Sequence, residues 1–162
     1  MIDFTKSKQY TLSIRLSTEV FSFSIYNPIH DDSLSIIEKE IDTSLSLTAN
    51  LKAVFHESDF LNHPYKRVNI MMASKRFTIA PLDLFEEGQA ELLFYHNHQK
   101  RENETVLYNI LRKNNVAVIF GIDKSAQTFL NEQYPEARFY SQSTPFIDYF
   151  SVKSRLGNSK KM

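Results

Sequence analysis

Two histidines have the spacing in this chain that comes closest to a metal site. His96 and His98 are separated by one residue, so on a strand both side chains would face the same side. A metal ion needs at least one further donor that converges with them. The surrounding stretch HNHQKRENE is typical of a solvated loop. We therefore favour surface histidines, and we predict neither a metal nor a cofactor.

Nucleophilic and acid–base chemistry have less support. A serine nucleophile needs a histidine and a carboxylate beside it, often within an elbow such as G-x-S-x-G, and no serine has that context. Asp123 could be a metal or phosphate-loop carboxylate, although its position before a predicted helix favours an N-cap. Adjacent carboxylates such as Asp31-Asp32 and Glu86-Glu87 do not share a face. The residues predict no catalytic site.

Glycine is scarce, and cysteine is absent. Gly88, Gly121 and Gly157 are the three glycines of the chain. Loops that cradle phosphates are rich in glycine, because the backbone must approach the ligand closely and adopt positive φ. The chain has neither a P-loop nor a dinucleotide-binding fingerprint. Without cysteine, thiolate catalysis and cysteine-based metal centres are excluded.

Length and charge limit the class of protein. The 162 residues suffice for one domain with a substantial core. Nineteen basic and nineteen acidic residues give a net charge of zero, which removes the positive field that sequence-independent nucleic-acid binding requires. No signal peptide and no long apolar run is present. We expect a cytoplasmic protein that neither binds nucleic acid nor inserts directly into a membrane.

The alternation of apolar and polar residues predicts that the chain opens with strands. From Tyr10 to Tyr26, apolar residues occupy every second position on both sides of a polar turn, which indicates a half-buried β-hairpin. A third strand is predicted from Leu34 to Ile41. Three short sequential strands favour an antiparallel meander.

Helices and strands are predicted to alternate in the rest of the chain. Five aromatic residues crowd its C-terminal end, where ordinary helix-to-sheet packing is favoured over a partner site. The predicted elements are a helix from Leu47 that ends before His63-Pro64, strands from Arg67 to Ala73 and Arg76 to Ala80, an imperfect helix from Leu82 to Tyr95, a hairpin of Thr105 to Leu111 and Val116 to Gly121, a helix after Asp123, a strand from Ala137 to Tyr140, a helix opened by Thr144 and Pro145 that contains Phe146, Ile147, Tyr149 and Phe150, and a polar tail or linker at 157–162.

Several phrases of the sequence resemble a bacterial family, domain-of-unknown-function family 3822, over nearly the whole chain. They are YTLSIRLS, FSFSIYNP, FTIAPLDLF, NVAVIFGID and FLNEQYPEARFYSQSTP. The order of elements is similar to a ribonuclease H-like lobe of the actin-like ATPase superfamily. Within it, Phe77 to Ile122 resembles the small inserted subdomain of the cell-division protein FtsA and the pilus-assembly protein PilM.

The resemblance implies an α/β fold in which residues 1–156 form a single ribonuclease H-like domain. Its mixed sheet would open with the antiparallel three-strand meander, and a small strand-helix-strand-strand insertion would occupy about 77–122. The chain would cover only the N-terminal lobe, because members of the superfamily bind nucleotide between two lobes.

The resemblance also assigns a place to the first turn. In active members this turn carries an aspartate and a glycine that hold metal-bound phosphates, whereas here it is Leu16-Ser17-Thr18-Glu19. Ser17 and Thr18 could donate hydroxyl hydrogen bonds and are the candidate nucleotide-binding residues, but Glu19 would repel a phosphate.

The leading hypothesis is a non-catalytic, actin-like domain that acts as a protein–protein interaction scaffold. Its protein partner, or a second copy of the chain, would bind Phe77 to Ile122 by strand addition at an exposed edge. The alternative is an ATP-binding lobe that a second lobe or an oligomer completes.

Overall fold

The computed structural model describes residues 2–29, 34–145 and 147. The described strands form a five-stranded sheet in the order β3-β2-β1-β4-β8 and a three-stranded sheet in the order β5-β7-β6. The strands are β1 (Thr11–Leu16), β2 (Val20–Tyr26), β3 (Leu34–Glu40), β4 (Arg67–Met72), β5 (Phe77–Pro81), β6 (Glu104–Leu111), β7 (Val116–Asp123) and β8 (Arg138–Ser141), and the helices are α1 (Leu47–Glu57), α2 (Ala90–Asn97) and α3 (Lys124–Gln133).

Three neighbouring strands of the larger sheet place their apolar residues on one face. β1 is antiparallel to β2 and parallel to β4, in a register that sets Ile14 opposite Phe23 and Ile70. Because side chains alternate along a strand, every second residue then reaches the same face. The buried residues of this face are Leu12, Ile14, Leu16, Phe21, Phe23, Ile25, Val68, Ile70 and Met72.

The opening meander is confirmed. β2 pairs antiparallel with β3 as well as with β1, and the parallel pairing of β1 with β4 makes the sheet mixed. A parallel neighbour requires a crossover connection, which α1 supplies between β3 and β4. The mixed α/β class predicted from the sequence is therefore the class of the structure.

The helices α1 and α3 pack through aromatic side chains. α1 begins after Ser46, whose hydroxyl accepts a hydrogen bond from the Ala49 amide at 3.1 Å. The ring of Phe55 on α1 meets that of Phe129 on α3 edge to face, with centroids 5.2 Å apart. Leu51 and Leu130 are fully buried on the same two helices.

The chain divides into two compact units. We call Met1–Ala73 with Asp123–Phe139 the larger unit, and Ser74–Ile122 with the described residues from Tyr140 onward the smaller unit. In the smaller unit, α2 and the sheet share a core of Ala80, Ala90, Phe94 and Ile119. Within the described residues, no helix combines the length and the apolar character needed to cross a membrane.

The segment from Leu82 to Tyr95 differs from the predicted helix. It contains two 3-10 turns, Leu82–Leu84 and Glu87–Gln89, and α2 begins only at Ala90. Gly88 lowers the helix propensity of this segment, because glycine loses more backbone entropy than other residues in a helix. No side-chain hydrogen bond caps the start of α2, so the helix begins where its apolar residues reach the core.

Two predicted ends involve prolines, and the prediction that the helix from Leu47 ends before His63-Pro64 is confirmed. α1 ends at Glu57, and a 3-10 turn, Asp59–Asn62, fills the interval before His63-Pro64. Pro81 is the last residue of β5, one residue beyond the predicted end, and it is tolerated there because β5 lies at the edge of its sheet.

At the C-terminal end, the predicted cap is wrong. The helical residues begin at 143, so Thr144 lies inside them, and its hydroxyl donates to Asn109 Oδ1 at 2.8 Å. The predictions for Phe146, Tyr149, Phe150 and the tail 157–162 lie outside the described residues.

Candidate functional site

The hydroxyl of Ser17 closes the turn between β1 and β2. It donates to the Val20 carbonyl at 2.6 Å and accepts from the Val20 amide at 3.0 Å. The Ser17 amide adds a hydrogen bond to the same carbonyl at 3.2 Å. This side chain replaces backbone pairing that a tight turn would otherwise need, in the manner of hydroxyl-containing turns.

The turn therefore needs no glycine. Among the described residues, the only ones other than glycine with positive φ are Asn103 and Asn115, and neither lies in this turn. Asn115 follows Arg112–Asn114 at the β6–β7 connection with φ 56°. That placement confirms the prediction of a left-handed residue in Lys113-Asn114-Asn115.

The other residues of the first turn face solvent. Thr18 and Glu19 are both exposed, while the Glu19 carbonyl accepts from the Ile41 amide at 3.3 Å. A phosphate placed here would meet the Glu19 carboxylate and a Ser17 hydroxyl that already donates to Val20. The candidates Ser17 and Thr18 are thus neighbours in one turn, with Ser17 engaged by Val20 and Thr18 exposed.

The histidine pair does not have the predicted geometry. His96 lies in α2 and His98 is its C-cap residue, so the two are not on a strand. His96 is exposed, as favoured from the sequence, and the exposed stretch that follows α2 is not helical. His98 stacks on Phe94 with centroids 4.6 Å apart, and its Nε2 lies 2.9 Å from the Phe77 carbonyl oxygen. Among the described residues, no three histidine or carboxylate side chains gather as a metal site requires.

The remaining chemical candidates have structural roles or lie outside the description. The Asp123 carboxylate accepts from the Ala126 amide at 2.9 Å, which confirms the N-cap. Ser13, Ser22 and Ser24 lie half-buried along β1 and β2 on the face opposite the apolar one. Asp31-Asp32 falls outside the described residues.

Sequence reasoning missed an ion pair in the smaller unit. Arg76 Nε and Nη2 donate to the two carboxylate oxygens of Glu104 at 2.9 and 2.7 Å, and their side chains are only 15% and 7% exposed. Nη2 also donates to the Gln99 carbonyl at 2.9 Å, and the Tyr95 hydroxyl donates to Glu104 at 3.0 Å. The hydrogen bonding of Arg76 to the Glu104 carboxylate, which stabilises the charged guanidinium, is the main cause that raises the pKa of Arg76. The pair joins β6 to the end of α2 and the start of β5.

Gly121 provides the space for this ion pair. A Cβ atom at position 121 would lie 2.8 Å from Glu104 Cδ and 3.1 Å from Phe94 Cζ. The carboxylate cannot move aside freely, because Arg76 and Tyr95 hold both of its oxygens. No local sequence signal marks this cluster, since its members are far apart along the chain.

A groove of about 830 Å³ opens in the larger unit, lined by residues 61–68 and 133–138. Its two tyrosines are fixed by hydrogen bonds. Tyr65 donates to the Phe60 carbonyl at 2.6 Å, and Tyr134 donates to the Leu61 carbonyl at 2.7 Å. Burial raises the pKa of Tyr65 to about 12 and that of Tyr134 further, so both phenols are neutral near pH 7.

Comparison with known proteins gives a family and a fold. The family model described as "Protein of unknown function (DUF3822)" matches residues 1–162. A crystal structure from Bacteroides thetaiotaomicron VPI-5482, described as a protein with actin-like ATPase fold and unknown function, is 83% identical with a TM-score of 0.92. The match covers 96% of this chain and 61% of that chain, so this chain spans less than two thirds of its relative. A comparison with curated proteins found no match.

Replacing Ser17 should destabilise the protein, whereas replacing its neighbour should not. Ser17→Ala leaves the Val20 amide without its side-chain partner, and we expect the free energy of unfolding to fall by about 1 kcal/mol. Thr18→Ala is the matched control, with a change within about 0.5 kcal/mol. Urea unfolding followed by circular dichroism measures both. Equal stability of the two variants would mean that Ser17 does not hold the turn.

The two glycines of the smaller unit should respond oppositely to alanine. Gly121→Ala forces the Glu104 carboxylate or Phe94 to move, and we expect a loss of about 1–3 kcal/mol in unfolding free energy. Gly88→Ala meets nothing within 4 Å. Since its φ is not positive, it should be neutral or add up to about 1 kcal/mol. Thermal unfolding of both variants gives the comparison, and a Gly121→Ala protein as stable as wild type would contradict the packing described here.

Proposed function

The chain belongs to the family described as "Protein of unknown function (DUF3822)", and from that premise we propose that it is a non-catalytic domain of actin-like ATPase fold that acts as a protein–protein interaction scaffold. The fold is that of the similar Bacteroides protein. The first turn supports the lack of ATP hydrolysis, and the edges of the smaller sheet support the scaffold role.

The observation that carries the proposal is the double hydrogen bond of the Ser17 hydroxyl to Val20. A phosphate-binding turn must present donors to the ligand, and here the serine proton is already donated to a carbonyl inside the turn. The exposed Glu19 carboxylate adds a negative charge where the phosphates of a nucleotide would lie. Both features disfavour a bound nucleotide, and neither interferes with a protein partner elsewhere.

The strand edge best suited to a partner belongs to β6. In the three-stranded sheet the outer strands are β5 and β6. The hydrogen bonds from Gly121 N to Arg76 O and from Leu82 N to Asn115 O set the alternation of β5, so the backbone of Phe77, Ile79 and Pro81 faces away from β7.

That outer edge of β5 is poorly suited to strand addition. Pro81 has no amide proton, and the carbonyl of Phe77 is engaged by His98. Natural proteins protect sheet edges in these ways. β6 is longer, with eight residues that include neither proline nor glycine, and strand addition depends on such a regular edge.

The alternative function is an ATP-binding lobe that a second lobe completes. It is favoured by the fold of the Bacteroides protein and by the fact that this chain spans only 61% of that protein. In this alternative, binding depends on groups outside the chain, and Thr18 is the residue of the first turn whose hydroxyl would contact the nucleotide.

Calorimetric titration with Mg-ATP separates the two functions. We expect no binding in the micromolar range for this chain, because its first turn offers a carboxylate in place of phosphate donors, and we expect the same result for the full-length Bacteroides relative. An active actin-like ATPase titrated under the same conditions is the positive control. Micromolar affinity of the full-length relative for Mg-ATP would establish the alternative.

A lysine introduced on β6 should weaken the binding of the protein partner. Val106 and Tyr108 pack toward the core of the smaller unit, so Thr105 lies on the opposite face of β6. Ile79 lies on that same face of β5, because it pairs with Val118 next to Ile119 of the core. Thr105→Lys therefore places a charge on the proposed edge, and Ile79→Lys places the same charge on the protected one.

Quantitative mass spectrometry of proteins that co-purify from expressing cells compares these variants with wild type, after circular dichroism has shown that both are folded. We expect the amount of a partner that co-purifies with the wild-type protein to fall at least about tenfold with Thr105→Lys. The amount that co-purifies with Ile79→Lys should stay at the wild-type level. Partners that are unchanged by both variants, or lost equally with both, would reject β6 as the binding edge.

A further inference from the structure

We infer that the groove of the larger unit, lined by residues 61–68 and 133–138, binds an acidic peptide segment of a protein partner, in which carboxylates alternate with apolar side chains. The inference concerns a second surface, separate from β6. It does not depend on whether strand addition occurs.

The charge of the groove carries the inference. Three permanently basic side chains, Lys66, Arg67 and Arg138, line it against one carboxylate, Glu136. The whole chain has equal numbers of basic and acidic residues, so this is a local excess of positive charge on a neutral protein. Arg67 and Arg138 are the first residues of the neighbouring strands β4 and β8, and both are exposed. Guanidinium groups pair with carboxylates in a bidentate geometry.

Hydrogen bonds and ring contacts hold the walls of the groove in place, so the protein loses little conformational entropy when a peptide binds. Besides the tyrosine hydrogen bonds, the Ser7 hydroxyl donates to the Pro64 carbonyl at 2.5 Å. The ring of His63 stacks on Phe4 with centroids 5.0 Å apart. A preformed surface binds more tightly than one that must become ordered.

The size and lining favour a peptide over a small anion. A volume of about 830 Å³ is near the upper end of pockets that hold small molecules, and a single phosphate would fill little of it. Between the charged residues, the accessible apolar lining consists of Pro64, Pro135 and Ala137, and the buried Leu61 and Val68 lie at the base of the groove. Apolar side chains of a peptide have contacts there that an inorganic ion cannot use.

Fluorescence anisotropy with a short fluorescein-labelled peptide, in which glutamates alternate with leucine and phenylalanine, tests the inference. We expect saturable binding that weakens as salt is added and that is lost when glutamines replace the glutamates. Arg67→Gln with Arg138→Gln should weaken binding at least about tenfold, and Lys66→Gln alone should weaken it less.

The matched control is Lys52→Gln with Lys124→Gln. It removes two positive charges from exposed positions on α1 and α3 of the same unit, and we expect less than about a twofold change. The Thr105→Lys variant should bind the peptide as wild type does, which separates this site from the β6 proposal.

Three results would overturn the inference. One is the absence of saturable binding to the folded wild-type chain. Another is equal weakening by the control pair, which would mean that only net charge matters. The third is complete displacement of the peptide by inorganic phosphate at matched ionic strength, since that would identify a small-anion site instead.

Discussion

The register of β1 against its two neighbours is the constraint on which the larger unit depends. β1 pairs antiparallel with β2 and parallel with β4, and Ile14 lies opposite Phe23 and Ile70. A slip of one residue would turn the buried row of β1 to the opposite face and bring Ser13 and Arg15 into the core. Register and burial thus determine each other, and they fix where β1 ends and where the first turn begins.

The position of that turn explains why a fold shared with ATPases need not carry their chemistry. In this chain the turn is closed by a side chain, because the Ser17 hydroxyl both donates to and accepts from Val20. Because the serine side chain closes the turn, no glycine is needed there. The hydroxyl proton that could have been donated to a ligand is donated to the Val20 carbonyl instead. A shared fold therefore does not by itself establish phosphate binding, because function depends on the residues placed on the fold.

The sequence predicted the elements that depend on local patterns. Alternation along Tyr10 to Tyr26 gave the hairpin and its buried face, and Asp123 marked a helix start because a capping residue acts within three positions of itself. The extent of α2 was not predictable in this way. Its start depends on where Ala90 and Phe94 meet Ile119, a contact between residues distant in sequence.

The same distinction applies to the candidate sites. Ser17 and Thr18 became candidates because the resemblance places a nucleotide-binding turn at their position, but the hydrogen bonding of Ser17 depends on the backbone geometry at Val20. The spacing of His96 and His98 would suit a strand, whereas the two residues lie at the end of α2, and His96 is exposed, as favoured from the sequence. The ion pair of Arg76 with Glu104 gave no local signal at all.

The net charge of zero illustrates how composition can conceal a site. It argues against a broad positive field and hence against nucleic acid, because such binding sums charge over a large surface. A short peptide samples a much smaller area, within about one Debye length of each charge. In the groove, the fold brings Lys66 and Arg67 of one segment beside Arg138 of another, and Glu136 is the one carboxylate among the described residues that line it. A chain with no net charge can therefore contain a positively charged groove. The groove becomes visible only in the folded structure, which brings the two segments together.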